Sequence, residues 1–358
     1  MSARTRGQVR VVGTGLLGTS IGLGLSSLAV DVVLDDVSPS TLALAVDYGA
    51  GRRSAEGDAP AVVVVAVPPD VVAHVVRAEL ERFPDALVTD VASVKAGPLA
   101  ALRAAGAPIE RYLGSHPMAG RERGGPIAAR ADLFLGRPWV LAPHADSTSE
   151  QAAVLEALAL DLGAVPVRLP AERHDDAVAI VSHAPQLVSS LLAARLVDAP
   201  DHATDLAGQG LRDTTRIAGS DPALWVQILS ANASRILPVL SDLRDDLDAV
   251  LAALADPAAA GAQRSLADVL AAGNDGVARI PGKHGVDLRT TTLTVLVDDR
   301  PGQIARLLTE IGELGVNLED MRLEHSPGAP IGIVELAVTP EVAGGLEADL
   351  QHRGWRVA

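Results

Sequence analysis

The sequence predicts an α/β amino-terminal domain, an all-α middle domain and a small α+β tail, and three observations carry that prediction. A glycine-rich turn joins a short apolar strand to a helix near the start, and further all-apolar strands follow it. From Glu172 the pattern changes to long apolar helices, and beyond residue 289 a strand, a helix and a strand return in order. The expected bounds are 1–170, 171–285 and 289–358, consistent with a 358-residue chain that exceeds ordinary single-domain size. The absence of cysteine removes disulfides, thiolate metal sites and cysteine nucleophiles, and no metal ligand set is proposed. A formal net charge of -15 argues against nucleic acid or an anionic membrane surface as partner, so an anionic substrate would need a local basic pocket. No signal peptide and no apolar run long enough to span a bilayer are recognised, and a cytoplasmic protein is expected.

The first strand, Val9–Val12, runs into Gly13-Thr14-Gly15-Leu16-Leu17-Gly18 and a helical stretch over 19–28. In this context Gly13 permits the tight turn, Gly15 lets backbone approach a pyrophosphate, and Gly18 lets helix pack on strand, with the phosphates at the positive helix end. Leu16 and Leu17 belong to the same cofactor-facing turn. Taken alone, the glycines would equally suit an ordinary turn; strand and helix on either side make this a Rossmann-type dinucleotide site. The second strand, 31–34, ends in Asp35-Asp36, where a carboxylate receives a ribose 2′-hydroxyl and repels the extra phosphate of NADP. NAD is therefore the expected cofactor. Spacing selects Asp36 over Asp35, the alternative being that either one merely opens the Ser38-Pro39 turn.

An all-apolar strand over 61–67 stops at Pro68-Pro69, and another over 86–89 ends in Asp90-Val91-Ala92-Ser93-Val94-Lys95. Loops after strand carboxyl ends line the ligand crevice, which makes Val67, Pro68 and Ser93 cofactor candidates and Ser93 a catalytic one. Lys95 reads as a helix-start charge or as support. Gly114-Ser115-His116-Pro117-Met118-Ala119-Gly120-Arg121-Glu122 places His116 just after a strand-like segment at 112–114, hence at the crevice, with Glu122 available nearby. An imidazole titrating near pH ~6.5 can exchange a proton with a substrate hydroxyl. His74, His144, His174, His202, His284, His325 and His352 lack such context and are expected to be surface or packing residues.

Helical spacing continues through 178–192 and 224–254, and such apolar helices need a cover, of which an intertwined homodimer is the simplest source and a monomeric bundle the alternative. Ser182-His183 interrupts that surface, either as a satisfied core histidine or as a substrate contact. Arg212 and Arg216, four apart, share a face if the stretch is helical, and suit an anionic ligand unless they pair with Asp213 or Asp205.

Together the motifs G-T-G-L-L-G, D-V-A-S-V-K, G-S-H-P-M-A-G-R-E, S-H-A-P-Q and G-L-R-D-T-T-R-I-A-G-S-D-P-A-L-W resemble the prephenate/arogenate dehydrogenase family of tyrosine biosynthesis over about residues 8–285. The resemblance implies oxidative decarboxylation of a cyclohexadienol, prephenate or arogenate, with His116 accepting the ring hydroxyl proton and Ser93 hydrogen-bonding beside it. It likewise implies substrate contacts from His183, Arg212, Arg216, Trp225 and Glu122. Other Rossmann reductases with helical dimerisation domains, or a non-catalytic NAD or amino-acid sensor, are the competing readings. The tail, with a strand over 291–297, the Asp299-Arg300-Pro301-Gly302 turn, a helix over 303–314, the Gly315-Val316-Asn317 turn and a strand over 331–338, resembles an ACT domain. That likeness implies a regulatory amino acid, tyrosine, held near Asp299, Gly302 and Asn317; a ligand-free dimerisation module is the alternative.

Overall fold

The computed structural model describes residues 3–120, 124–280, 290–325 and 331–357. The chain forms two compact units, Met1–Ala199 with Thr214–Leu243, and Pro200–Asp213 with Arg244–Ala358.

In the first unit, β1 (Val9–Val12), α1 (Leu16–Ser27), β2 (Val32–Asp35), α2 (Pro39–Asp47), β3 (Arg52–Arg53), β4 (Val62–Val65), α3 (Val72–Arg82) and β5 (Leu87–Asp90) follow in chain order. The five strands pair in parallel as β3-β2-β1-β4-β5. Strand order reverses between β1 and β4, and ligands bind beyond the carboxyl ends at such a switch point. Val62 to Val65 are all buried, because helices cover both faces of a parallel sheet, and each valine contributes about 1.5–3 kcal/mol. Arg10 puts a charge into β1. Its buried guanidinium donates to Glu79 at 2.7 Å, to Ser54 at 2.8 Å and to Asp35, so no charge is left uncompensated.

α4 (Ala96–Ala104), β6 (Gly114–Pro117), β7 (Pro138–Ala142), α5 (Ser149–Asp161) and β8 (Val165–Arg168) come next. A second sheet, β6-β7-β8, joins β6 antiparallel to β7 and β7 parallel to β8. A parallel bridge from Val88 to Tyr112 ties the chain before β6 to β5. The strand expected at 112–114 therefore lies slightly later, and His116 sits within it, opposite Val140, rather than in a following loop. Gly114-Ser115-His116-Pro117 has little intrinsic strand preference; the ladder with β7 imposes it.

α6 (Ala171–Val178), a π-helical turn at Ala179–His183 and α7 (Ala184–Ala194) form one continuous helix. Contrary to expectation, the span Ala171–Ala194 is long and apolar enough to cross a membrane by length and composition. It nevertheless buries His174, Asp175 and His183. α8 (Asp201–Asp205) and α9 (Gln209–Thr215) precede a 3-10 turn at Arg216–Gly219, which packs against α7. Arg212 lies in the last turn of α9, whereas Arg216 begins the 3-10 turn that follows, so the stretch is not one continuous α-helix carrying both. α10 (Pro222–Ala231) and α11 (Ala233–Ala255) replace the continuous helix expected over 224–254, with a 95° bend between them. Asn232 supplies the break: its backbone leaves the helical region, and its buried side chain is engaged elsewhere.

The second unit continues with α12 (Ala262–Ala278), then β9 (Thr291–Asp298), α13 (Gln303–Glu313), β10 (Asp320–His325), β11 (Ile331–Val338), α14 (Pro340–His352) and β12 (Arg356–Val357). The antiparallel sheet has order β10-β11-β9-β12, and alternate residues of β9 and β11 build a core with Leu307, Ile311, Leu346 and Trp355. This is a split β-α-β arrangement. The sequence reading found β9, α13 and β11 but not β10, α14 or β12, whose charged residues and glycines hide their apolar spacing.

Candidate active site

Around the glycine turn, backbone geometry dictates residue type. Gly13 adopts φ +94, and a Cβ there would lie 2.4 Å from the Ala66 carbonyl oxygen. A Cβ on Gly18 would lie 1.9 Å from the Gly13 carbonyl oxygen, so the helix can approach the turn this closely only with glycine. Gly15, by contrast, has nothing within 4 Å of its Cβ position. It caps α1 without a side-chain hydrogen bond, leaving open space where a pyrophosphate would meet the helix amino end. Leu16 and Leu17 open α1 beside it, and Val67 and Pro68 follow β4, the neighbour of β1. At the end of β2, Asp36 accepts hydrogen bonds from Thr14 N–H at 2.6 Å, from the Thr14 hydroxyl at 2.8 Å and from Ser38 N–H at 2.8 Å. Its carboxylate is therefore clamped to the glycine turn, and it also opens the Ser38-Pro39 turn. Asp35 is held by Arg10. These residues fit a dinucleotide.

Beyond β5 lies a buried polar assembly. Lys95, just before α4, sends its ammonium to Asp90 and, at 2.7 Å, to the Ser115 carbonyl oxygen. The Tyr112 hydroxyl donates to Asp90 at 2.6 Å. These contacts lock the end of β5 to the start of β6 and so position His116. Removing one partner of a buried pair of this kind costs about 3–5 kcal/mol. Ser93 sits half-buried in the loop between Asp90 and Lys95.

His116 Nδ1 lies 2.8 Å from His174 Nε2, and His174 Nδ1 lies 2.8 Å from Asp175 Oδ1. Asp175 accepts the backbone N–H groups of Lys95 at 2.8 Å and Ala96 at 2.9 Å. On the far side, the Asn232 amide donates to the Asp175 carbonyl oxygen at 2.9 Å and lies 3.1 Å from His183 Nδ1. His183 meets Trp225 edge-on, with centroids 6.1 Å apart.

Burial pushes the His116 imidazole well below the usual value of 6.5, and repulsion from His174, Lys95 and His183 adds to it. His183 falls to about 4, chiefly by burial, with His174 adding to the fall and Asp175 opposing it. Burial also works against ionisation of Asp175, yet hydrogen bonds from His174 and from the Lys95 and Ala96 amides hold its carboxyl below the ordinary range. Both site imidazoles are thus neutral at neutral pH, as a proton acceptor requires.

The structure brings His116, His183 and Trp225 into one assembly and adds His174, expected from sequence to be a surface or packing residue. Asp90, Tyr112, Asp175 and Asn232 were not singled out either. The nine residues from His174 to His183 would place the two on opposite faces of an α-helix at about 100° per residue. The π-turn changes that phase, and it carries no sequence signature. Arg216 is exposed at the start of its 3-10 turn in the same unit, whereas Arg212 belongs to the second unit. Asp299, Gly302 and Asn317 are exposed in the second unit, Gly302 capping α13. Glu122 and His284 lie outside the described residues.

A doubly wound sheet with a dinucleotide turn, and a neutral buried histidine beyond the strand ends, define a nucleotide-dependent dehydrogenase. Residues 23–168 match the nucleotide-binding domain of prephenate dehydrogenase, and residues 170–270 match its dimerization domain. Over 355 residues the chain is 38% identical to a probable prephenate dehydrogenase, NovF, of Streptomyces niveus, covering 96% of this chain and 98% of that one. The arogenate dehydrogenase of Synechocystis superposes with a TM-score of 0.60 at 27% identity, covering 75% of this chain and 99% of that one. The same fold, at TM-score 0.65 and 24% identity, occurs in the prephenate dehydrogenase of A. aeolicus, solved with hydroxyphenyl propionate and NAD+, over 76% of this chain and 98% of that one. The chain belongs to the prephenate dehydrogenase family and is an NAD-dependent oxidoreductase.

Proposed function

We propose that the protein converts prephenate to 4-hydroxyphenylpyruvate, with His116 as the base; arogenate, which carries an ammonium in place of the side-chain keto group, is the second candidate substrate. The observation that carries the reading is the neutral imidazole of His116, held in β6 between the nucleotide-binding sheet and the helix bearing His183. NAD+, when bound by the glycine turn and Asp36, would supply the hydride acceptor for the ring carbon that bears the hydroxyl. His116 takes the hydroxyl proton as that C–H bond breaks. The electrons of the bond to the departing carboxyl group enter the ring, carbon dioxide leaves, and the proton returns as the ring becomes a phenol. Ser93 contributes a hydroxyl beside the base, and His183 and Trp225 flank the substrate. Arg216 meets the ring carboxylate, where a guanidinium offers a two-pronged contact that lysine lacks. Gly13, Gly15, Leu16, Leu17, Gly18, Asp36, Val67 and Pro68 hold the dinucleotide. The apolar residues exposed along the helices, including Ile180, Val181, Leu191, Leu247, Leu251 and Leu270, support a homodimer. The terminal β-α-β-β-α-β module supports an ACT-type regulatory role for tyrosine.

Following NADH formation with prephenate and with arogenate tests the substrate. His116→Asn is expected to bind NAD+ normally and to lose about 10²–10⁴-fold in kcat, the usual value of a positioned base. Wild-type turnover in that variant rejects the assignment.

A further inference from the structure

We infer that His174 and Asp175 form a positioning relay that fixes the tautomer of His116 and leaves its Nε2 as the proton-accepting atom. The inference rests on the reading of His116 as the base. Asp175 receives two backbone N–H groups at the amino end of α4, and these can only donate; together with the positive helix end they demand an ionised carboxylate. Facing a carboxylate at 2.8 Å, His174 Nδ1 must carry hydrogen. A neutral imidazole has one N–H, so His174 Nε2 presents a lone pair. His116 Nδ1, 2.8 Å away, must then donate, because two lone pairs at that distance would repel. His116 Nε2 is left unprotonated, and among the described residues it has no hydrogen-bond partner.

All three residues are buried, so water does not compete for these bonds, and low dielectric strengthens each of them. When His116 accepts a proton, its new charge keeps the Nδ1–H bond to His174 and faces a chain that ends in an anion. Lys95, whose charge also acts on His116, is occupied by Asp90 and the Ser115 carbonyl oxygen. The continuous helix is what makes this possible: Asp175 bonds back to α4 while the preceding residue reaches β6.

Two variants in the full-length enzyme test the relay. Asp175→Asn removes the carboxylate charge and one of its acceptor atoms; with its amide N–H at the Oδ1 position it faces His174 Nδ1 with a donor, which reverses both tautomers and leaves His116 Nε2 protonated. His174→Phe removes the relay but keeps the Asp175 bonds to α4, and so decides the matter if Asp175→Asn fails to fold. Each folded variant is expected to lose about 10²–10⁴-fold in kcat, with KM for NAD+ and prephenate little changed; the same reversal costs ~10⁴ in serine proteases. Because residues acting as a unit are not additive, His116→Asn/His174→Phe should be no slower than His116→Asn alone. Ring 15N shifts should report hydrogen on His116 Nδ1 and a lone pair on Nε2 in the wild type. Near-normal kcat in folded His174→Phe, or additive losses in the double variant, overturns the relay while leaving the base in place. Full activity in His116→Asn overturns the base reading and the relay with it.

Discussion

His183 shows what burial does to a single residue. Its value of about 4 in the folded chain, against 6.5 for the ordinary side chain, means that the unfolded chain takes up a proton first as pH falls. Stability from this group is therefore complete above pH 6.5 and declines as pH drops toward 4, and the lowered His116 acts in the same direction. Thermal unfolding between pH 7.5 and 4.5 is expected to show a falling Tm that is shallower in His183→Asn. A pH-independent difference between the two proteins would contradict this. His116 and His183 were candidates from residue type and motif order, and Trp225 from the family resemblance; the structure brings these three together. His174 could not be picked out, because an isolated histidine on an apolar helix is indistinguishable from packing until β6 is brought against it.

Among the elements, the strand-turn-helix at residues 9–27 makes a sharper demand than its glycine pattern alone implies. Gly18→Ala forces a methyl group to within 1.9 Å of the Gly13 carbonyl oxygen, and it is expected to unfold or displace α1, seen as a large loss of Tm. Gly15→Ala meets nothing within 4 Å and should leave Tm near that of the wild type, yet weaken NAD+ binding measured by calorimetry, because its methyl group fills the pyrophosphate space. Equal effects on Tm would refute this division of roles. Strands β1, β2, β4 and β5 were legible from their apolar runs, within a residue or two. β6 was not, since its four residues pair only because β7 offers a ladder.

In the whole molecule, the tail raises the question of regulation. An effector acts only through unequal affinity for two states, and such coupling is usually ~1–3 kcal/mol, or about 5–150-fold in affinity. If tyrosine binds the turns at Gly302 and Asn317, Asn317→Ala in the full chain should abolish its inhibition while preserving kcat in its absence. Undiminished competitive inhibition in that variant would place tyrosine at the active site.

The order of domains, the dinucleotide turn and the family followed from sequence, because each depends on local spacing: glycines beside a strand, apolar runs of strand length and motifs in fixed order. The relay from Asp175 through His174 to His116 was decided by tertiary structure alone. It joins β6, the start of α4 and α6, with partners up to 80 positions apart. Hydrogen bonds between distant buried groups leave no periodic trace in the chain; they exist only once packing has excluded water and left each donor a single acceptor.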